Sequence, residues 1–412
     1  QLALENNKNY LISQEEVKRY KYKLKQNLGF LPNVSLQGLK NLDEKLMEIE
    51  IPPLYPGAPP QKTTLDFTRN YEFTFQVAQP LFTGGKVWLN FKNAQLDLEI
   101  AKEKHNNTRK EIILMVKKVF FNILVLQELL KAHQEALELA ETNFNNIDER
   151  FKLGMASKYD RLRAELAVSA VKPDILRVKK HLNLSLFNLK TMTGIPGHTT
   201  IKIKGELSYT SRQLKEMELL QQSLANASEI LQLKMQMKKA NNFVKMAYGQ
   251  FLPNISLVAS YTYRADVFKL KDLDKNWENY YTINLALSFP IFTGLNRSAQ
   301  LGEARVMKKI LGLNYQQLNE TVTLQIKDLC LTVQQEYENI QTGLKNMETA
   351  EEGVRIARLN YDEGLISILE LNSSISELTR AKVQFLQAVY NYNIAVAEIE
   401  KISDVKINRG DQ

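Results

Sequence analysis

The stretch Pro80-Leu81-Phe82-Thr83-Gly84 returns 210 residues later as Pro290-Ile291-Phe292-Thr293-Gly294, and this recurrence decides how the rest of the chain is read. Downstream, Phe151-Lys152-Leu153-Gly154-Met155-Ala156-Ser157 returns at the same offset of 210 as Tyr361-Asp362-Glu363-Gly364-Leu365-Ile366-Ser367. Both copies keep 74 residues between the proline and the glycine, a spacing that chance matches do not preserve. Upstream, Phe30-Leu31-Pro32-Asn33-Val34-Ser35 matches Phe251-Leu252-Pro253-Asn254-Ile255-Ser256 at an offset of 221, so the first copy holds 11 extra residues after that motif. The excess falls in residues 51–60, IPPLYPGAPP, whose prolines and glycine mark a loop. The chain therefore reads as a tandem duplication, with repeat one over residues 1–205 and repeat two over residues 206–412.

Within each repeat the hydrophobic period switches between two and three to four. Residues 280–289 place Tyr281, Ile283, Leu285, Leu287 and Phe289 on one face and Tyr280, Thr282, Asn284, Ala286 and Ser288 on the other, the pattern of a strand with one apolar side. Residues 71–78 alternate likewise, as does the stretch after each Leu-Pro-Asn, with the segment around Val34, Leu36 and Gly38 the weakest. The expectation is four strands in two hairpins, at about 33–79 and 254–289, with the remainder helical. Residues 86–152 contain neither proline nor glycine, enough for a helix about 100 Å long. In repeat two, Leu318, Val322, Ile326, Leu329, Val333, Tyr337, Ile340, Leu344, Met347, Val354, Ala357 and Tyr361 form a seam like that of a coiled coil. Each long helix ends near Gly154 or Gly364, and its return helix starts at Ser157 or Ser367, whose hydroxyls suit an N-cap. Pro173 predicts a kink or break in the first return helix.

Composition narrows the function classes. The 412 residues are 44% hydrophobic and 9% aromatic, too apolar for a disordered chain. Charged residues punctuate every apolar stretch, which excludes a helical polytopic transporter. The net charge of +8 permits nucleic acid or an anionic membrane surface, but lysines interleaved with glutamates read as solvated helix faces. The single cysteine, Cys330, forms no intramolecular disulfide. The opening QLALENNKNY carries no export signal, so an exported protein would have lost one before residue 1.

Strands of about ten residues fit a tilted outer-membrane barrel, whose practical minimum is about eight strands. Four strands cannot close alone, so the chain must oligomerise to span a membrane. Two copies would give a barrel filled by side chains, and three would leave room for a water-filled conduit. Ala3-Leu4-Glu5-Asn6-Asn7, the paired Phe-Leu-Pro-Asn and Pro-(Leu/Ile)-Phe-Thr-Gly motifs, and the Gly-x-x-Ser tips, all within two tandem copies, resemble the TolC family of outer-membrane efflux proteins. The resemblance covers essentially the whole chain. It implies a mainly α protein with membrane β structure: a homotrimeric 12-stranded β-barrel, four strands per chain, continued by a long periplasmic α-helical barrel. It also implies that this chain begins a few residues into its first helix. The implied partners are a periplasmic membrane-fusion adaptor, an inner-membrane pump of RND or ABC type, and outer-membrane lipid, with no nucleic acid and no cofactor.

By the same resemblance, Pro80 and Pro290 mark the bend from strand to tunnel helix, and Gly154, Ser157, Gly364 and Ser367 form tips that dock the adaptor. Asp160 and Glu370 match acidic residues that ring the periplasmic entrance, and Tyr361 matches a gate tyrosine. Ser373 stands where a second acidic residue would sit, and Ile366 where a basic gate partner would sit. Enzyme chemistry finds no support. His105, His133, His181 and His198 lack metal-ligand spacing, Cys330 lacks an activating pattern, and Phe82-Thr83-Gly84-Gly85-Lys86 lacks the Walker spacing. The competing class is a soluble or filamentous coiled-coil scaffold binding anionic surfaces. Within the channel class, type I protein secretion competes with small-molecule efflux.

Overall fold

The computed structural model describes residues 1–40, 42, 47–53, 55–57, 59–65, 71–205, 207–211, 214–265 and 277–407. They fall into two compact units, each built from matching pieces of both repeats: Arg19–Leu98 with Gln236–Leu311, and Gln1–Lys18 with Glu99–Met235 and Gly312–Gln412. The sequence boundary at 205 and 206 abuts a residue outside the described set.

The first unit holds the strands β1 (Asn33–Lys40), β2 (Met47–Ile51), β3 (Gln61–Leu65), β4 (Tyr71–Thr83), β5 (Asn254–Ala265) and β6 (Trp277–Ser288). Four of them make one antiparallel sheet in the order β1-β4-β5-β6. The alternation read from sequence sets its register: Leu36, Phe75, Tyr261 and Tyr281 lie side by side, and so do Val34, Val77, Ala259 and Ile283. Much of this apolar face is exposed, with Tyr281, Ile283, Leu285 and Leu287 66–75% exposed, while Tyr71 and Ala265 at one end of the sheet are buried. The opposite face is polar and internally bonded, with Thr74 Oγ1 3.2 Å from Thr262 Oγ1, Ser260 Oγ 2.7 Å from Thr282 Oγ1, and Arg264 Nη2 donating to Glu278 Oε2 at 2.7 Å. Gly38 allows the weakest strand to sit in this sheet, because a Cβ there would lie 3.1 Å from the Phe73 ring.

Two expectations need correction here. The stretch between β1 and β4 is not only loop, because β2 and β3 pair antiparallel as a second sheet. The Pro-rich run 52–60 joins them, with 54 and 58 outside the described residues, as is the turn between β5 and β6. Pro80, expected at a strand end, lies inside β4: it faces Ser256 while Phe82 faces Ile255, so Leu81 is the extra residue of a bulge. β4 is an interior strand, and β5 holds it in the ladder as far as Thr83; the bulge accommodates the N–H that proline lacks. The chain turns afterwards at Gly84 (φ 59°) and Gly85 (φ 80°). Pro290 follows the end of edge strand β6, and Arg297 Nη1 donates to its carbonyl at 2.7 Å.

The helices are α1 (Leu2–Asn6), α2 (Lys8–Gln26), α3 (Lys86–Lys152), α4 (Lys158–Thr193), α5 (Glu216–Asn226), α6 (Ser228–Gly249), α7 (Asn296–Asp362) and α8 (Ile368–Ser403). The duplication is visible in their lengths: α3 and α7 have 67 residues each, α4 and α8 have 36 each. The seam of α7 is its buried face, from Val322 and Ile326 through Val333 and Ile340 to Val354 and Ala357. In the second unit Val322, Ile326, Val333 and Ile340 of this seam pack with Ile230, Val389, Tyr392 and Ile399 around a core in which Ile230, Ile326, Ile340 and Ile399 are fully buried. Lys117 pairs with Glu400 at 2.6 Å and Lys118 with Glu398 at 2.6 Å, tying α3 of one repeat to α8 of the other. Asn6 Nδ2 donates to the Thr193 carbonyl at 3.1 Å beside Gly194, whose left-handed φ of 72° closes α4. α4 runs unbroken through Pro173, so of the expected kink or break the break does not occur. Ile175, Val178 and Leu189 bury its face around and beyond the proline, and packing carries the helix past one missing N–H.

Candidate functional site

The two helical tips are built alike. Gly154 (φ 80°) and Gly364 (φ 74°) take the left-handed conformation that ends each long helix. The N–H of Gly154 bonds the Phe151 carbonyl at 3.0 Å and that of Met155 the Arg150 carbonyl at 2.8 Å. In the second tip Gly364 bonds Tyr361 at 3.0 Å and Leu365 bonds Asn360 at 2.8 Å, so both helices close in the same double-bonded turn.

Each return helix then starts with a reciprocal capping box. Ser157 Oγ accepts from the Asp160 N–H at 3.1 Å while Asp160 Oδ2 accepts from the Ser157 N–H at 3.3 Å. Ser367 Oγ accepts from the Glu370 N–H at 3.4 Å, and Glu370 Oε2 accepts from the Ser367 N–H at 2.7 Å. Asp160 and Glu370 thus hold their own helix starts. Ser157→Ala and Ser367→Ala should each lower stability by about 1 kcal/mol, readable as a fall in thermal midpoint and faster amide exchange confined to the tip.

The tips meet on apolar side chains. Ile147 and Ala164 of repeat one pack with Ala357, Ile368 and Leu371 of repeat two, all buried, and Phe144, Ala156, Tyr361, Ile366 and Ile375 close the cluster. Ile366 therefore sits where an apolar contact is made, and Ser373 is exposed. Around this plug lie charges that sequence reading missed. Arg150 of the first tip reaches Asp362 of the second at 3.7 Å and stands 5.8 Å from the Tyr361 ring centre. Burial raises the Tyr361 hydroxyl above its ordinary pKa; the Arg150 charge opposes the shift and Asp160 and Asp362 reinforce it, so the phenol stays neutral at physiological pH. Asp160, Tyr361, Asp362 and Arg150 are thereby one electrostatic neighbourhood.

Asp148 anchors the first tip from below, accepting from Arg161 Nε at 2.6 Å and pairing with Lys152 at 2.6 Å. Hydrogen bonds from Lys152 and Arg161 hold its carboxyl below the usual carboxylate range. The link is complete above that range and is lost only as pH falls through the lowered value. A readable signal for these partners existed in part: Arg150 and Lys152 sit in the last turn of α3, where cations suit the helix dipole.

A family model described as Outer membrane efflux protein matches residues 1–195 and 219–403, taking in both repeats and both tips. The Outer membrane protein TolC of Vibrio cholerae is 18% identical over 316 residues, covering 76% of this chain and 72% of that relative. The protein of the same name from Escherichia coli is 19% identical over 336 residues, 78% of this chain, and the match spans just under two thirds, 66%, of its length. In structure, the CmeC outer membrane channel of Campylobacter jejuni superimposes with a TM-score of 0.81 at 16% identity, over 100% of this chain and 86% of that one. With the duplicated strands, helices and tips in place and the family model matched across both copies, the chain belongs to the outer membrane efflux protein family.

Proposed function

We propose that three copies of this chain close one outer-membrane exit duct, through which substrates pass passively after delivery from an inner-membrane pump by way of a periplasmic adaptor. The observation that carries the reading is the sheet itself: four antiparallel strands with an apolar face largely exposed from Val34 and Leu36 across to Tyr281–Leu287, a hydrogen-bonded polar face, and two open edges, β1 and β6. With every neighbour antiparallel, β1 and β6 run in opposite directions, so β6 of one copy can continue the ladder to β1 of the next without breaking the pattern. Each copy adds four strands, and three make a twelve-stranded barrel with a water-filled lumen. The twelve residues of β6 rise about 30 Å when tilted, matching a hydrocarbon core. Aromatic residues stand at both ends of the sheet, with Trp277 stacked on Tyr263 at 4.5 Å at one end and Phe30 edge-on to Phe91 at 5.6 Å near the other.

At the far ends of the helical hairpins, the tips around Gly154, Ser157, Gly364 and Ser367 are the adaptor-docking surface in this reading, and Tyr361 with its charged neighbours is the gate. Pro80 and Pro290 shape the exit from strand to helix, the first through a bulge. Three copies of Asp160 and Glu370 would place six carboxylates around the entrance and favour cations. Purified protein in planar bilayers tests this: Asp160→Asn with Glu370→Gln keeps an acceptor in each capping box while removing the charge, and cation preference should fall. Unchanged selectivity would sink the role given to these carboxylates.

A further inference from the structure

The charge of this chain is concentrated in one place. The helical segments that adjoin the sheet within its compact unit, residues 19–30, 84–98, 236–253 and 289–311, contain four, two, three and four lysines and arginines, against only Asp97 and Glu303 as acids. Their surplus of eleven positive charges exceeds the +8 of the whole protein, so everything else is slightly acidic. These segments also converge on a single edge of the sheet, because they precede β1 and β5 and follow β4 and β6 in an antiparallel ladder.

The cations are interleaved with aromatic rings, of which Tyr22, Trp88 and Tyr248 are exposed and Tyr20 half-buried. Arg19 and Lys23 lie 5.0 and 5.1 Å from the Tyr20 ring centre, Lys25 lies 5.8 Å from Tyr22, and Lys92 lies 5.1 Å from Trp88. Arg305 lies 5.3 Å from Tyr248 in repeat two. Trp88 is 56% exposed, and Ile291 and Phe292 at the end of β6 are 89% and 79% exposed. α2, which carries the densest run of cations, buries none of its residues. Exposed rings and aliphatic side chains beside snorkelling lysines mark the boundary between hydrocarbon and water.

We propose that this collar binds the phosphate headgroups of anionic phospholipids in the leaflet at that edge of the barrel, with the aromatic rings at the level of the headgroups and the cations just outside. The proposal rests on the sheet being the membrane-spanning part. The chain has two tryptophans, and only Trp88 belongs to the collar; Trp277 lies at the opposite end of the sheet. A Trp277→Phe protein, reconstituted in phosphatidylethanolamine vesicles containing about one lipid in five as brominated phosphatidylglycerol, reports contact with that lipid as quenching of Trp88. Brominated phosphatidylethanolamine at the same fraction is the reference. Phosphatidylglycerol should quench about twofold more, and the excess should vanish at high salt or in the Lys23→Gln, Lys25→Gln, Lys92→Gln variant. Equal quenching by the two lipids overturns the proposal and leaves the barrel standing. If that equality comes with altered ion selectivity of the variant in planar bilayers, the cations line the duct instead. No quenching by either lipid overturns the membrane reading of the sheet and the proposal with it.

Discussion

Replacing Gly84 with alanine is expected to prevent the strand-to-helix junction of repeat one from forming, whereas the same change at its counterpart Gly294 is expected to be mild. Both glycines have left-handed backbone, with φ of 59° and 61°. An L side chain there costs about 1–2 kcal/mol. The surroundings differ. A Cβ on Gly84 would run into the backbone carbonyl of Gly249, the last residue of α6, whereas a Cβ on Gly294 meets nothing within 4 Å. A backbone carbonyl cannot rotate aside as a side chain can, so Gly84→Ala should cost about 4 kcal/mol or more in total. Thermal denaturation of the two variants in detergent separates them. Equal midpoints would mean that the close approach of Gly84 and Gly249 bears no load.

Arg150→Ser should open the duct. Arg150 ties the first tip to both Asp362 and Tyr361 of the second, by an ion pair at 3.7 Å and a cation–ring contact at 5.8 Å. Each contact is half-exposed and worth little alone, about 1 kcal/mol for the two together. In a trimer that opens in concert the loss recurs three times, about 3 kcal/mol, or roughly a hundredfold in the opening equilibrium. The apolar plug of Ile147, Ala357 and Leu371 remains, so the tips should still fold. Single-channel recordings should show conductance several-fold above the parent. Tyr361→Phe, which keeps the ring beneath Arg150 and loses only the hydroxyl, should stay close to the parent.

Features encoded locally are legible in the sequence. α3 spans the residues without proline or glycine, and the seam of α7 is buried along its length, because period and helix breakers act within a few turns. The tips could be placed because glycine and serine specify termination and capping by themselves; Ser-x-x-Asp and Ser-x-x-Glu also encoded the capping boxes, in which Asp160 and Glu370 serve as structure. What pairing decides was not legible. Pro80 reads as a strand terminator until β5 is known to run beside it, and Met47–Ile51 is too short a strand to stand without Gln61–Leu65 opposite. Arg150 meets Tyr361 only because two repeats pack together, more than 200 residues apart in sequence. The basic end of the sheet was not legible either, since it forms only when four segments separated in sequence, with thirteen cations and two acids between them, come to one end of the strands. Membership of the efflux family sets aside the soluble scaffold that the same basic charge had allowed.

In the proposed assembly an open four-stranded sheet becomes a membrane barrel by joining copies of itself. Light scattering of the protein purified in detergent, with the detergent contribution subtracted, measures this directly. The expected protein mass is three times the 47.4 kDa of one chain, retained on dilution. A protein mass of one or two chains, or a chain that stays in solution without detergent, would contradict it.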